Sequence, residues 1–571
     1  MKRVLLILLL AAIGGAWYLA LPPQARTLPE PSADVPRGVR GSIHVHTNRS
    51  DGTGTVDEVA AAAARANLSF VILTDHGDGT RMPDPPAYLH DVLVIDAVEI
   101  STNHGHVVAL GLPQSPYPLG GASRDVVDDI VRMGGMAIAA HPGSPKEGLQ
   151  WTDWDAPLAG LEWLNGDSEW RDERPLELAR VLLGYPFRRA ESLALALDRP
   201  DAVLAKWDEL TRQRRIVGVA AADAHARLGV EQLEGGMRSA AALRVPWYEH
   251  MFRAFGIAVA GVELTRDPLR DAESIVAALR AGHVYSTING LASPVALSFT
   301  ATSGAGESAG SAAAQGDVLP LSGPVRLRAA ISAAPGTRLV LLRDGGEVAS
   351  AGERLLEHDA PAEPGVYRVE VRWPGGDGSA LPWIVSNPIY VGRTDAPRPP
   401  PVPAATSTIG VGRTVYGDGA AADWRVEQSV RASGAMDVVK VPTGGSQLLV
   451  RYALGGARSD SPFVALITPV SELAAYDRIV FKARAAQPMR LSVQVRAPNG
   501  PDGERWARSV YLDDTPREVS IAFADMRPQG VTSQPAPRLD AIDTLLFVVD
   551  MDNTQLGASG RFWIDDVRLV E

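Results

Sequence analysis

The chain has 571 residues, which is too long for a single hydrophobic core and predicts about two to four domains. Its 67 acidic and 55 basic residues give a formal net charge of -12, spread along the chain, which argues against a general nucleic-acid binder. The chain contains no cysteine, so disulfides and thiolate ligands are excluded, and any metal must be held by nitrogen and oxygen atoms.

Residues 1–21 are predicted to be a signal anchor. Lys2 and Arg3 precede an apolar run over 4–21, and a helix of this length spans about 27 Å, just enough for a bilayer core. The basic residues predict a cytoplasmic start and export of the rest, so that the protein is periplasmic or is anchored in the membrane and faces outward. A cleaved signal peptide is the alternative. Residues 22–38, which are rich in proline and polar residues, are predicted to be a linker.

Strands and helices are predicted to alternate over residues 39–290. Thr55-Val56-Asp57-Glu58 is a capping box that opens an alanine-rich helix. A second helix is predicted from Ala272 to Ala281, where Gly282 ends it. Such alternation predicts a largely parallel, buried sheet or barrel, in which the chemistry lies at the C-terminal ends of the strands.

Histidine and acidic residues stand at the ends of these predicted strands. His44 and His46 are one residue apart on an extended segment, so their side chains point the same way. Asp223 and His225 repeat this spacing, and the other candidates are Asp51, His76, Glu99, His106 and His141. Core packing does not require imidazoles and carboxylates at the same place on every strand, whereas a shared metal centre does. The sequence therefore predicts such a centre, for which Zn, Mn and Fe all suit the donors.

The order of these residues resembles that of the PHP (polymerase and histidinol phosphatase) superfamily over residues 39–290. The pattern is His44-x-His46, Asp51, Asp75-His76, Glu99, Gly105-His106, Ala140-His141-Pro142 and Asp223-x-His225. The resemblance implies an α/β fold, a distorted (β/α)7 PHP barrel, with two or three divalent metal ions. It implies one ion held by His44, His46, Glu99 and Asp223, a second by Glu99, His106 and His141, and a third by Asp51, His76 and His225. His104 competes with His106 for its place.

The predicted chemistry is hydrolysis. The chain shows neither a Ser or Cys nucleophile signature nor a Walker-type phosphate loop, whereas a site with several metals generates its nucleophile from metal-bound water, held here by His44, His46, Glu99 and Asp223. The commonest activity of the family implies a phosphate ester as the small-molecule substrate, and Arg81, Arg171 and Arg227 are candidates to bind it. Hydrolysis of carbamate, amide or other ester bonds at the same site is an alternative, favoured if the aromatic residues of 151–170 line the pocket. A non-catalytic, glycan-binding envelope protein is another.

The chain is predicted to be all-β beyond residue 291. Alternating apolar runs between glycine-rich turns predict a β-sandwich over 291–394. Clustered prolines predict a stiff linker over 395–408. Residues 409–571 are predicted to form a second sandwich, and the ending 562–569 is similar to the last strand of jelly-roll carbohydrate-binding modules. A glycan is therefore a candidate partner of this module, with a structural or protein-contact role as the alternative.

Overall fold

The computed structural model describes residues 18, 21–31, 35–227, 244–304, 311–332, 335–352, 354–374, 380–393, 412–417, 421–442, 444–499 and 503–571. Of these residues, 39% lie in strands and 17% in helices. The predicted signal anchor over 1–21 falls almost entirely outside the described residues, and the predicted linker over 395–408 falls wholly outside them. Within the described part of the chain, no helix has the length and apolar character that a membrane crossing requires.

The chain divides into two compact units. The first comprises Met1–Asp78, Met82–Pro113 and Val127–Pro400, and the second comprises Gly79–Arg81, Gln114–Val126 and Pro401–Glu571. The elements up to residue 393 are, in chain order, β1 (Arg26–Thr27), β2 (Val39–Ser42), α1 (Val56–Arg65), β3 (Phe70–Leu73), β4 (Ala87–Leu89), β5 (Val92–Asp96), β6 (Val98–Thr102), β7 (Gly105–Leu110), α2 (Ser123–Arg132), β8 (Met136–Ala139), β9 (Gly160–Asn165), α3 (Gly166–Arg171), α4 (Pro175–Gly184), α5 (Arg189–Ala194), α6 (Asp201–Thr211), β10 (Val217–Ala221), α7 (Tyr248–Ala254), β11 (Gly256–Val259), α8 (Pro268–Ala281), β12 (Val284–Thr287), β13 (Ala292–Ser293), β14 (Leu297–Ser303), β15 (Ser311–Ala314), β16 (Val318–Leu319), β17 (Val325–Ile331), β18 (Arg338–Arg343), β19 (Gly346–Gly352), β20 (Leu355–Ala360), β21 (Gly365–Arg372), β22 (Pro382–Ser386) and β23 (Ile389–Val391).

Two sheets of the first unit carry the candidate site. One has five strands in the order β10-β9-β8-β7-β6, and the other has twelve, in the order β16-β23-β21-β22-β12-β11-β2-β3-β5-β4, with β18 paired to β21 and β19 to β18. Isolated parallel bridges join Val45 to Ala224 and His76 to Glu99, so strand ends from the two sheets meet. A separate four-stranded sheet has the order β15-β14-β17-β20, and β1 pairs with β13.

The predicted α/β fold with a distorted (β/α)7 PHP barrel is wrong, because the chain is mostly β-sheet with mixed pairing. The pairs β4–β5, β6–β7, β7–β8, β2–β11 and β11–β12 are antiparallel. Parallel strands need a crossover of about a dozen residues, whereas only His90 and Asp91, both with positive φ, separate β4 from β5. The larger sheet also continues beyond residue 290, because β12 pairs with β22.

Helix ends in the first unit follow their capping residues. The capping box at Thr55 is confirmed: its hydroxyl accepts from the Glu58 amide at 3.2 Å, and the Glu58 carboxylate accepts from the Thr55 amide at 2.9 Å. The predicted end of α8 at Gly282 is also confirmed, with φ of 80°. The helix begins before Ala272, however, because Asp267 caps it and Pro268 takes its first position.

The second unit contains a β-sandwich of two antiparallel sheets. Its elements are β24 (Gly412–Tyr416), β25 (Arg425–Gln428), β26 (Ser433–Lys440), β27 (Ser446–Ala453), β28 (Val464–Pro469), β29 (Arg478–Ala485), β30 (Met489–Ala497), β31 (Glu504–Leu512), β32 (Arg517–Ala522), β33 (Arg527–Pro528), β34 (Thr544–Val549) and β35 (Ser559–Val570), with short 3₁₀ turns at Arg458–Asp460, Leu473–Ala475 and Phe523–Asp525. One sheet has the order β26-β27-β35-β29-β32 with β24 paired to β35, and the other has the order β25-β28-β34-β30-β31-β33. The inner faces of the two sheets share one buried core that includes Trp424, Phe481 and Phe547.

Candidate metal centre

The predicted ligands lie where strands of the two sheets of the first unit end or begin. They are His44 and His46 after β2, Asp51 in the following loop, His76 after β3, Glu99 in β6, His106 in β7, His141 after β8, and Asp223 and His225 after β10. Four groups of donor atoms that lie within 4.8 Å of one another together contain every one of these residues. The structure therefore brings all the predicted ligands into one cluster.

Three residues of the cluster have left-handed backbone, which is uncommon outside glycine. The φ angles are 63° at His44, 31° at His141 and 46° at Asp223. Backbone hydrogen bonds hold this region: the His46 amide donates to the Ala224 carbonyl at 3.0 Å, and the Ala224 amide donates to the His44 carbonyl at 3.2 Å. Such strain persists only where the surroundings enforce it, and it concentrates at functional sites.

Two imidazole nitrogens at the centre of the cluster are buried and have no hydrogen-bond partner among the described residues. They are Nε2 of His44 and Nε2 of His46, whose side chains are fully buried. Each lies 3.3 Å from Oε2 of Glu99 and 3.4 Å from Oδ1 of Asp223. Buried polar atoms normally have partners. Two imidazole and two carboxylate donors around one point fit a divalent cation.

Glu99 faces both this centre and a second group of histidines. Its Oε1 lies 2.8 Å from Nδ1 of His106 and 2.8 Å from Nε2 of His141, while its Oε2 lies 3.1 Å from Nδ1 of His76. A carboxylate in this position can bridge two cations. His104, which competes with His106 in the sequence, is exposed and belongs to none of the donor groups.

A third group lies towards solvent. Asp51 and His76 are each 36% exposed, and Oδ2 of Asp51 lies 3.2 Å from Nε2 of His225. The loop that carries Asp51 is held by Asp75, which accepts hydrogen bonds from the Thr47 amide at 2.7 Å and the Thr47 hydroxyl at 2.8 Å. The cluster is therefore partly open to solvent on this side.

The donor groups divide the residues differently from the three sets that the family resemblance implies. His44 groups with Glu99 and His141 as well as with His46 and Asp223, and His76 groups with Glu99 and His106 as well as with His46, Asp51 and His225. Several residues thus serve two groups, which is the arrangement expected when neighbouring cations share ligands.

Sequence reasoning missed Glu162, a buried carboxylate that accepts hydrogen bonds from two residues of the cluster, His44 and His141. This carboxylate is 1% exposed; its Oε1 accepts from Nδ1 of His44 at 2.5 Å, and its Oε2 accepts from the His141 amide at 2.8 Å and from Nδ2 of Asn165 at 2.7 Å. A partner on Nδ1 fixes the tautomer and leaves Nε2 free to bind a cation. The signal in the sequence is a lone acid in the largely apolar strand β9, Gly160–Asn165.

The electrostatics of the cluster are those of a paired charge network. Burial lowers the pKa of His44, but the carboxylates of Asp223, Glu162 and Glu99 outweigh it and hold this pKa well above its usual value. Burial likewise opposes the carboxylates of Asp223 and Glu99 at His46, whose pKa rises to about 10. Burial raises the pKa of Glu99, but the surrounding imidazoles hold it well below its usual value. Protons and cations therefore compete for the same nitrogens.

The three candidate arginines have different surroundings. Arg227 donates to the Asp51 carbonyl at 3.3 Å, and it lines a cavity of about 50 Å³ together with Asp223 and His225. Arg171 forms an ion pair with Asp167 one helical turn away. Arg81 belongs to the second compact unit. Arg227 therefore contacts the loop that carries Asp51.

Two of the four tryptophans in residues 151–170 are core residues. Trp151 and Trp163 are each 1% exposed, and the Trp163 indole donates to the Ser286 hydroxyl at 2.9 Å. Trp170 is half-buried and lines the cavity beside Arg227. One aromatic side chain of this region therefore reaches the cavity next to the candidate centre.

A second candidate site is a cleft of about 790 Å³ in the β-sandwich of the second unit. Its lining is polar and includes Arg496, Arg505 and Glu427, with a 3.1 Å ion pair between Arg496 and Glu427. Gln494 also lines it and is 1% exposed; its Nε2 donates to Ser492, but its Oε1 has no hydrogen-bond partner among the described residues. A buried amide oxygen with unused capacity points to a hydrogen-bonding ligand.

No family model and no curated protein matches the chain. Solved structures that are similar to it include the family 11 carbohydrate-binding module of the cellulosomal cellulase Lic26A-Cel5E of Clostridium thermocellum, which is 18% identical with a TM-score of 0.24 over 28% of this chain and 94% of that chain. The same organism's module in complex with a β-1,3-1,4-mixed-linked tetrasaccharide is 18% identical with a TM-score of 0.24 over 29% of this chain and 97% of that chain.

A carbohydrate-binding module from the β-sandwich superfamily is 11% identical, with a TM-score of 0.21 over 43% of this chain and 92% of that chain. All three are carbohydrate-binding modules.

Proposed function

We propose that this protein is an exported, metal-dependent hydrolase whose C-terminal sandwich binds glycan. The observation that carries the catalytic part is the pair of buried, unpartnered Nε2 atoms of His44 and His46, which face oxygens of Glu99 and Asp223. Leaving two imidazole nitrogens and two carboxylates buried around one point without a shared cation is costly. The resemblance to the PHP superfamily rests on the order of the ligands and stays a prediction.

The residues of the cluster would have separate roles in binding the metal ions and admitting substrate. His44, His46, Glu99 and Asp223 would hold one divalent ion, and the other donor groups would hold its neighbours. When bound, such ions supply a Lewis acid that polarises the scissile group and lowers the pKa of water. Glu162 holds the His44 ring, and the exposed Asp51 and His76 leave a path for substrate.

The proposed substrate is a phosphate ester, because Arg227 lies beside the cluster and a guanidinium suits phosphate oxygens. The alternative is a carbamate, amide or carboxylic ester, which Trp170 and the apolar side of the small cavity would favour. The two differ in which substrate turns over and in whether turnover depends on the Arg227 charge.

The test is turnover by the purified full chain, with p-nitrophenyl phosphate compared with p-nitrophenyl carboxylic and carbamate esters. The His46→Ala variant should lose turnover, whereas the matched His283→Ala variant should retain it, because His283 pairs with Asp317 and belongs to none of the donor groups. Turnover of the phosphate alone supports the proposed substrate. Equal turnover by both variants would refute the assignment of the site.

Glycan binding is the second part of the proposal, and the unpartnered amide oxygen of Gln494 in the large cleft supports it. Sugar hydroxyls donate to such an oxygen, and the Arg and Glu side chains beside it suit the remaining hydroxyls. The test is electrophoresis of the full chain in gels that contain mixed-linked β-glucan, which slows the migration of a protein that binds it. Gln494→Leu should abolish this slowing. Gln555→Leu should not, because Gln555 is exposed and is not among the residues that line the cleft.

A further inference from the structure

Two arginines lie beside Trp563 on the outer side of the sandwich in the second unit. Trp563 and Arg561 are two residues apart on β35, so their side chains share one face of the strand, while Phe562 and Ile564 belong to the buried core on the other face. On the neighbouring strand β29, Arg484 lies directly opposite Trp563. We call Arg484, Arg561 and the half-buried Trp563 the Trp563 patch.

The guanidinium groups of the patch have charge and donors that the protein itself does not use. Cζ of Arg484 lies 3.7 Å and Cζ of Arg561 lies 5.6 Å from a ring centroid of Trp563, which is close enough for cation–π attraction. Neither arginine side chain forms an ion pair or a hydrogen bond with a described residue, so the N–H donors stay available. Burial and the positive charge of Arg561 lower the pKa of Arg484. The patch therefore suits an anion.

Carboxylates elsewhere on this face have basic neighbours of their own. Asp437 forms an ion pair with Arg451, the residue opposite Arg561 in the sheet. Asp565, the next residue of β35 on this face, lies opposite Lys482. The charges of the two patch arginines are therefore left for a partner from outside the chain.

We propose that the Trp563 patch binds an acidic polysaccharide through the carboxylates of its sugars. A uronic acid sugar offers a carboxylate that matches the forked guanidinium and a ring whose C–H groups can pack against an indole. A lipid surface fits less well, because Leu449, opposite Trp563 on β27, is half-buried, whereas membrane-binding surfaces present exposed apolar side chains. The cleft that Gln494 lines is on the other sheet, so this is a second binding site.

Isothermal titration calorimetry of the full chain with an oligogalacturonate tests this proposal. The carboxyl-reduced oligomer is the matched ligand, because it keeps the rings and linkages but has no charge. Arg484→Gln and Arg561→Gln should each weaken binding of the acidic oligomer by about tenfold or more, since each removes charge-assisted hydrogen bonds. Arg425→Gln is the control, because Arg425 is exposed on β25 in the other sheet and does not line the cleft. Thermal unfolding checks that each variant is folded.

The wild type should bind the acidic oligomer and not the reduced one, and Arg425→Gln and Gln494→Leu should bind it as the wild type does. No binding by the wild type, or equal binding by the wild type and both patch variants, would overturn the proposal. Loss of binding in Gln494→Leu would also overturn it, because the acid would then occupy the cleft. So would equally tight binding of a poly-glutamate of the same charge, which would indicate an acidic peptide as the partner.

Discussion

Replacement of Glu162 by glutamine should weaken metal binding although the side chain keeps its shape. Oε1 accepts from Nδ1 of His44, and Oε2 accepts from both the His141 amide and Asn165. A glutamine amide group in the Oε2 position would face two donors, so it will turn towards His44. Nδ1 of His44 must then accept a hydrogen bond, and the proton moves to Nε2, the atom that faces Glu99 and Asp223.

The size of the loss in metal affinity follows from the proton on Nε2 of His44, which blocks metal binding at that atom. A protonated Nε2 cannot bind a cation, so the protein must either give up this ligand or break the new hydrogen bond. Loss of a partner of this kind costs about 10- to 100-fold in metal affinity, which corresponds to about 1.4 to 2.7 kcal/mol. The metal-free variant should be less stable than the wild type, because the Glu162 carboxylate is one of the charges that raise the pKa of the buried His44, and removing one partner of a buried charge pair is destabilising.

Competition titrations with a chelating dye, with Zn²⁺ or Mn²⁺ as the probe, measure the affinity of the full chain. Glu263→Gln is the matched control, because Glu263 is exposed and outside every donor group. Thermal unfolding without metal checks that the variant is folded. An affinity of Glu162→Gln within twofold of the wild type, with the protein intact, would refute the argument from the tautomer of His44.

Three further predictions concern stability, each measured by unfolding of the full chain. Burial raises the pKa of Glu169 from its ordinary value of 4.5 to about 8. The contribution of its protonation to folding stability is therefore complete below about pH 4.5 and is lost as the pH rises through 8. Glu169→Gln should raise the melting temperature at pH 9 and leave it nearly unchanged at pH 5. Gly218→Ala should cost about 1 to 3 kcal/mol, because its Cβ would overlap the Trp207 indole, and an unchanged denaturation midpoint would contradict this. Arg368→Met should cost about 3 to 5 kcal/mol by leaving Glu370, which is 0% exposed, without one of its charge partners; a cost below 1 kcal/mol would contradict this.

The candidate site was accessible from the sequence because each ligand occupies a local position of the same kind. His44 and His46 share one face of an extended segment, and Asp223 and His225 do so too. Such spacings do not depend on which strands pair. The cluster therefore formed from the predicted residues although the predicted barrel did not.

Strand pairing could not be predicted in the same way, because it depends on contacts between distant segments. The β4–β5 hairpin turns at His90 and Asp91, which lack the glycine that usually marks such turns. The β12–β22 pair joins Tyr285 to Ser386, far apart in the chain. Glu162 escaped notice for the same reason, since its partner His44 follows β2, a strand of the other sheet.

The most direct test of the account is the metal content of the purified full chain. Elemental analysis after removal of loosely bound ions should find about two to three divalent ions per chain, since neighbouring ions share ligands. The His46→Ala variant should bind fewer ions than the wild type, and His283→Ala should bind the same number. A wild-type chain that takes up no divalent ion at neutral pH would contradict the metal centre and leave the glycan-binding role alone.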